Sequence, residues 1–285
     1  MSAVSKRLTD AWVSLVLLPG LLFLATALTA HTLGQRGWAD VERLANAAAD
    51  VRTRSTSSSA AVALLVAALL LAAAAGLLAR GTGSVVRLLM LGDRPRRAVE
   101  RRQARWRVAH QAYAAEVRRQ RADGDENQAR LDELAGRRNR IGLVEPRRLT
   151  WTGDRVAAVD VRVHTEYELD LVSAWPPLWL ILPDATRAEL EKARMAFEAG
   201  TGTAGWGLLY LALGVVWWPS AAIGTVALAM AWWRTRQAAA VLAELAEAVV
   251  DLYGGALAQA LGLTDEPTLT RQLGAAITAR LRKGT

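Results

Sequence analysis

The chain has 285 residues, 52% of them hydrophobic, yet 22% are charged and the mean hydropathy is +0.15. Both hold in one chain only when the two classes are segregated, as between a membrane phase and a water phase. Cysteine is absent, which excludes disulfides and thiolate metal sites and leaves His, Asp and Glu as ligands; the net charge of +8 marks loops held on the cytoplasmic side rather than a nucleic-acid surface.

In chain order, Ala11 to Leu33 carries no Lys, Arg, Asp or Glu and meets the roughly 20 residues that a helix needs to cross the hydrocarbon core. Lys6, Arg7 and the small-x-small string Ala25-Thr26-Ala27 leave a cleaved signal peptide as the rival, but the apolar run continues through Leu33. Residues 34–58 form an external loop with a Ser-rich end. Ser59 to Ala79 is the second expected span, and Ala60, Ala63, Ala67, Ala68, Ala72 and Gly76 give it small side chains at the spacing that lets helices approach. An alanine-rich composition accounts for those residues equally well.

Gly81-Thr82-Gly83-Ser84 lacks the Lys of a phosphate loop and is expected to be a hinge, followed by a surface patch from Val85 to Leu91. Residues 80–198 form a basic, helical, cytoplasmic domain. Pro95 to Ala122 predicts a helix whose apolar stripe is Val99, Trp106, Ala109, Tyr113 and Val117. Asp123-Gly124-Asp125 breaks it, and a second helix from Glu126 to Arg140 places Leu131, Leu134 and Arg138 on one face, completing an αα-hairpin. From Arg80 to Arg148, arginines outnumber carboxylates 18 to 9, so the basic character of the chain is local. Arg94, Arg96, Arg97, Arg101, Arg102 and Arg105 are the candidate binding residues. Near a membrane each gains about 1 kcal/mol from anionic lipid. An acidic cytoplasmic protein is the next partner, and nucleic acid ranks last because Trp106 and Tyr113 lie on the packing stripe.

A connector from Gly142 to Thr152 leads to an expected helix from Arg155 to Leu171, capped by Asp154, with a strand left open by its β-branched residues. As a strand it would place His164 and Glu166 on one face, but no further ligand completes a metal site. Trp175 to Pro183 is expected to be a proline-broken elbow. Thr186 and Glu189 form a capping box opening a helix to Glu198. Residues 199–233 are expected to be a transmembrane hairpin turning at Pro219, with one kinked span as the alternative. Trp175, Trp179, Trp217, Trp218, Trp232 and Trp233 are the expected interface anchors. The tail, 234–285, opens with an amphipathic helix from Gln237 to Leu252, and shorter helices follow Gly254-Gly255 and Pro267.

Arginine density places the N-terminus, the 80–198 region and, for a hairpin, the tail on the cytoplasmic side. A Gly-x-Ser-x-Gly elbow and a His-Glu-x-x-His zinc motif are both missing, and no enzymatic activity, cofactor or metal is expected. Charge-free spans argue against an ion-coupled carrier.

The strings Val16-Leu17-Leu18-Pro19-Gly20, Arg138-Asn139-Arg140-Ile141-Gly142-Leu143, Thr150-Trp151-Thr152-Gly153-Asp154-Arg155 and Ala174-Trp175-Pro176-Pro177-Leu178-Trp179 resemble those of uncharacterised multi-pass membrane proteins of high-GC Gram-positive bacteria. The resemblance implies a bacterial plasma-membrane location and brings no activity. The expectation is thus an all-α membrane protein of four transmembrane helices. Its expected role is that of a scaffold recruiting a cytoplasmic partner or anionic lipid through the basic domain. The alternative is a pore-forming or membrane-perturbing effector of defence or lysis, a homo-oligomer assembled through the second span.

Overall fold

The structure is a computed structural model describing residues 17–54, 58–123 and 127–282. Among these the regular elements are ten helices: α1 (Leu18–Leu33), α2 (Val41–Arg54), α3 (Ser58–Leu91), α4 (Arg96–Asp123), α5 (Gln128–Ile141), α6 (Trp151–Tyr167), α7 (Leu171–Ile181), α8 (Asp184–Leu213), α9 (Trp218–Ala260) and α10 (Arg271–Leu281). No strand occurs among the described residues. The start of the first expected span, up to Val16, and the expected break at Gly124-Asp125 lie outside them. The chain divides into two compact units, residues 1–87 with 199–233 and residues 88–198 with 234–285. Helices α3, α8 and α9 contribute to both.

In the first unit the buried positions are mostly small residues, and most large aliphatic ones are exposed. Ala72, Ala75, Gly76, Ala79 and Gly83 of α3 are buried, while Leu70, Leu71, Leu77 and Leu78 of the same helix are exposed. The reason is backbone proximity. A Cβ on Gly205 would strike the Ala79 carbonyl, one on Gly20 would strike the Ala72 carbonyl, and one on Gly224 would crowd the Gly207 carbonyl and the Leu211 amide. Only glycine permits that approach. The α8–α9 turn falls at residues 214–217, where the Trp217 amide donates to the Leu213 carbonyl at 3.1 Å. Ser220 Oγ, buried, donates to the Tyr210 carbonyl at 2.8 Å. Residues 205–233 are therefore two helices and a turn rather than one kinked helix.

Gln35 secures the same end of the unit. Its Nε2 donates to the carbonyls of Gly214 and Val215 at 3.0 and 2.7 Å, and its Oε1 accepts the Trp218 amide at 3.1 Å. Trp217 Nε1 donates to the Trp38 carbonyl at 3.2 Å, and the Trp38 and Trp218 rings meet edge to face at 5.1 Å. Helix α2, within the expected external loop, contacts α1.

Two sequence expectations are corrected. Gly81 to Ser84 is no hinge and Val85 to Leu91 no separate patch, because α3 runs unbroken through them. Thr82 Oγ1 bonds back to the Leu78 and Ala79 carbonyls at 3.0 and 2.9 Å, and Gly83 faces the Thr201 carbonyl closely. Among the described residues, one helix, Ser59–Leu91, is long and apolar enough to cross a membrane by itself. The described part of α1 has 16 residues, and the apolar arms of α8 and α9 are diluted by Gly, Thr and Trp.

The second unit is a helical bundle with an aliphatic core of Val159, Val163, Leu169, Leu178, Leu190, Val250, Leu257 and Ile277. Its helix ends differ from the sequence expectation. Helix α6 starts at Trp151, capped by Thr150, whose Oγ1 accepts the Gly153 amide at 3.1 Å, and it ends at Tyr167 because Glu168 adopts a left-handed φ of 52°. Asp154 is therefore not the cap. Helix α8 opens at Asp184 rather than at Thr186, whose hydroxyl instead meets the Tyr253 hydroxyl at 3.3 Å. The expected elbow is helix α7, capped by Asp170, which accepts the Val172 amide at 3.2 Å. Pro176 and Pro177 lie inside α7, where neither can donate the backbone hydrogen bond to the carbonyl four residues earlier, on Val172 and Ser173. Gly254 and Gly255 lie inside α9, where Leu269 and the Pro267 carbonyl pack on them too closely for any side chain.

Replacing Gly205 with Val is expected to lower the stability of the full chain in detergent by about 1–3 kcal/mol, measured as thermal loss of helical signal. Gly81→Ala, with nothing within 4 Å of the new methyl, is expected to be neutral or to gain up to about 1 kcal/mol. Equal effects at the two positions would show that the close contact does not form.

Candidate functional site

Helix α4 divides lengthwise. Val99 is buried, and Gln103, Trp106, Ala109, His110, Tyr113 and Val117 are half-buried toward α5, whose Leu134 is buried. Arg138 of α5 lies over the Tyr113 ring at 4.8 Å, and Trp106 stacks on His110 at 4.7 Å. The aromatic residues are thus spent inside the hairpin. The opposite face carries Arg97, Arg101 and Arg105 at four-residue spacing, continued by Val108, 68% exposed.

The six candidate arginines separate into two groups. Arg94, Arg96, Arg97, Arg101 and Arg105 are exposed and make no ion pair among the described residues. Arg102 instead points into the unit. Its Nη1 donates to the Arg148 carbonyl and its Nη2 to the Ile141 carbonyl, both at 2.6 Å, and Nη1 pairs with Asp154 Oδ2 at 2.7 Å. Arg102 is a connector clamp and not a surface residue.

Sequence reasoning missed what surrounds it. Gln103 donates to the Pro146 carbonyl at 2.9 Å, Trp106 Nε1 to the Gly142 carbonyl at 2.8 Å, and Arg107 pairs with Glu145 at 2.7 Å. Asp154, 3% exposed, accepts the Arg147 and Arg148 amides on Oδ1 at 2.8 and 2.7 Å. Thr150 Oγ1 donates to the Met90 carbonyl at 2.7 Å, and the Leu149 amide to the Gly92 carbonyl at 3.0 Å. Residues 141–150 are therefore sewn to the end of α3 and the start of α4. A regular Arg-x-x-x-Arg spacing could have marked the outward arginines. Nothing in the spacing distinguishes Arg102.

Electrostatics leave the outward face unsatisfied. Like charges four apart on a helix oppose it by about 0.2–0.5 kcal/mol per pair, and the first turn of α4 holds no carboxylate to complement the helix dipole. The open surface between Leu89, Arg94, Pro95 and Arg96 forms a recess.

Other candidates fall apart in space or serve packing. His164 and Glu166 are exposed and, being two apart on a helix, point to different sides; no group of His, Asp and Glu among the described residues is arranged to hold a metal. Of the small residues of α3, Ala72 and Gly76 are buried, Ala60 and Ala68 are half-buried, and Ala63 and Ala67 are exposed. Trp175 and Trp179 pack against the core of the second unit. Trp217 is half-buried, whereas Trp218, Trp232 and Trp233 are exposed. Trp218 and Trp233 stand about 22 Å apart along α9. Buried Arg155 pairs with Glu247 at 3.1 Å, and Arg236 covers the Trp151 ring at 4.0 Å, joining α6 to α9 within the second unit.

Comparison with protein-family models, with curated proteins and with solved structures finds no match.

Removing the Asp154 carboxylate strands Arg102 and two amides, so Asp154→Ala is expected to cost about 3–5 kcal/mol in urea unfolding of the detergent-solubilised chain. Burial pushes the Asp154 carboxyl above the ordinary aspartate range, against the pull of the two amides and Arg102. The folded state then binds this proton more tightly than the unfolded chain does. Its contribution is expected to decline as pH rises from the ordinary aspartate value through the raised one. Asp154→Asn should remove that slope.

Proposed function

We propose that this chain is an integral membrane scaffold, its first unit immersed in lipid and its basic helical unit kept at the inner surface by arginines facing anionic headgroups. One observation carries the reading: in the first unit the buried positions are chiefly alanine and glycine, with Thr201 and Ser220, while most leucine, valine and isoleucine side chains are exposed. Water would penalise that arrangement over hundreds of Å² of exposed apolar surface. Lipid does not, and association there relies on close packing of small residues.

In this reading α1, α3 and the two arms 199–213 and 218–233 make four spans. The arms are short, and Trp38, Trp218, Trp232 and Trp233 would sit at the two headgroup zones. The N-terminus, the second unit and the tail lie on the cytoplasmic side, the surface where arginine is retained. Five outward arginines without carboxylate partners favour anionic lipid over other partners, since chain continuity puts Arg94 three residues beyond the last turn of α3.

The native chain has no cysteine, so single cysteines report topology cleanly. An impermeant maleimide applied to intact bacterial cells is expected to label Asn46→Cys in α2 and to leave Gln111→Cys in α4 unlabelled until the cells are opened. Labelling of Gln111→Cys in intact cells, or recovery of the protein in the aqueous phase after alkaline extraction, would overturn the reading.

A further inference from the structure

Between the last turn of α3 and the first of α4 lies an open recess of about 680 Å³, lined by Leu89, Arg94, Pro95 and Arg96. Its chemistry is split. Leu89, 50% exposed, offers an aliphatic flank. Arg94 and Arg96 offer two exposed guanidinium groups with no ion pair among the described residues. A purely apolar ligand would leave the charges unanswered, and a bare anion would leave the leucine in water. An amphiphile whose anionic head carries phosphate satisfies both, because guanidinium forks match phosphate oxygens and leucine matches an acyl chain.

We infer that this recess binds a single anionic glycerophospholipid, its phosphate bridged by Arg94 and Arg96 and an acyl chain laid along Leu89. The inference rests on the lipid reading above but is sharper. A diffuse basic surface responds to summed charge, so any two of its arginines are interchangeable. A lipid held in this open recess has a stoichiometry of one and depends on two named residues, while Arg101 and Arg105, on the outward face of α4, do not line it.

The test uses the full-length protein in nonionic detergent, examined by native mass spectrometry while phosphatidylglycerol is titrated in, with phosphatidylcholine and inorganic phosphate in separate arms. The expected result is one retained phosphatidylglycerol, weaker retention of the choline lipid, and little competition from inorganic phosphate. Arg94→Gln with Arg96→Gln is expected to weaken retention about tenfold or more, the loss of charge-assisted hydrogen bonds. Arg101→Gln with Arg105→Gln should leave it unchanged. All four side chains are exposed, and the helical signal of each variant checks that folding is intact. Equal weakening by the two double variants would overturn the recess and leave the diffuse lipid surface standing. Displacement by inorganic phosphate alone would overturn the lipid as ligand, and equal retention of the choline lipid would overturn headgroup selection. Retention of no lipid by any form would overturn both this inference and the broader reading.

Discussion

When the outward face of a helix is as apolar as its inward face, burying hydrophobic surface no longer tells neighbours where to pack. The first unit depends on what is left: the distance to which backbones can close. Gly20 on the Ala72 carbonyl, Gly205 on the Ala79 carbonyl and Gly224 on the Gly207 carbonyl set three helix pairs at near-contact separation, where dispersion is strongest. Leucine at any of them would move the helices apart and dismantle that selectivity. The large side chains are outside because there is no room for them between the helices.

The second unit obeys the opposite rule, with an aliphatic core and exposed charge. Asp154 is an exception to the exposure of charge. A carboxylate 3% exposed is held by two amides and a guanidinium, and through them the connector 141–150 is fixed to the start of the arginine helix. Arg102 and the outward arginines are chemically identical and only a turn apart, yet one serves the fold and the others face solvent. The difference is made by the connector that passes beside Arg102.

Much of this was legible from residue order alone. The all-helical class follows from period-3.6 stripes, and the stripe Val99, Trp106, Ala109, Tyr113, Val117 faces α5 as its spacing requires. A turn is expected at Pro219; it falls a few residues earlier, at 214–217, and Pro219 lies in the first turn of α9. What was illegible depended on long-range partners. The Gly-Thr-Gly-Ser string resembles a hinge until the close approach of residues 201–205 explains its glycine. Asp154 resembles a helix cap until Arg147 and Arg148 are brought to it. The double proline resembles a break, yet α7 runs through it. For the candidate site, the arginines were visible, but their division between Arg102 and the exposed five was not, since no sequence signal records the return of residues 141–148.

The inequality among the apolar helices has a consequence for biogenesis. If lipid is the solvent of the first unit, α3 is the only described helix whose composition would let it partition from a translocon by itself. The glycine-rich arms 199–213 and 218–233 gain their stability from each other, through Gly207, Gly214 and Gly224. They would enter as a pre-paired unit, after the Leu213–Trp218 turn has closed, rather than one at a time. Residue 199 lies far downstream of α3 in synthesis, so the early helix would hold the nascent chain at the bilayer while the second unit's residues 88–198 emerge.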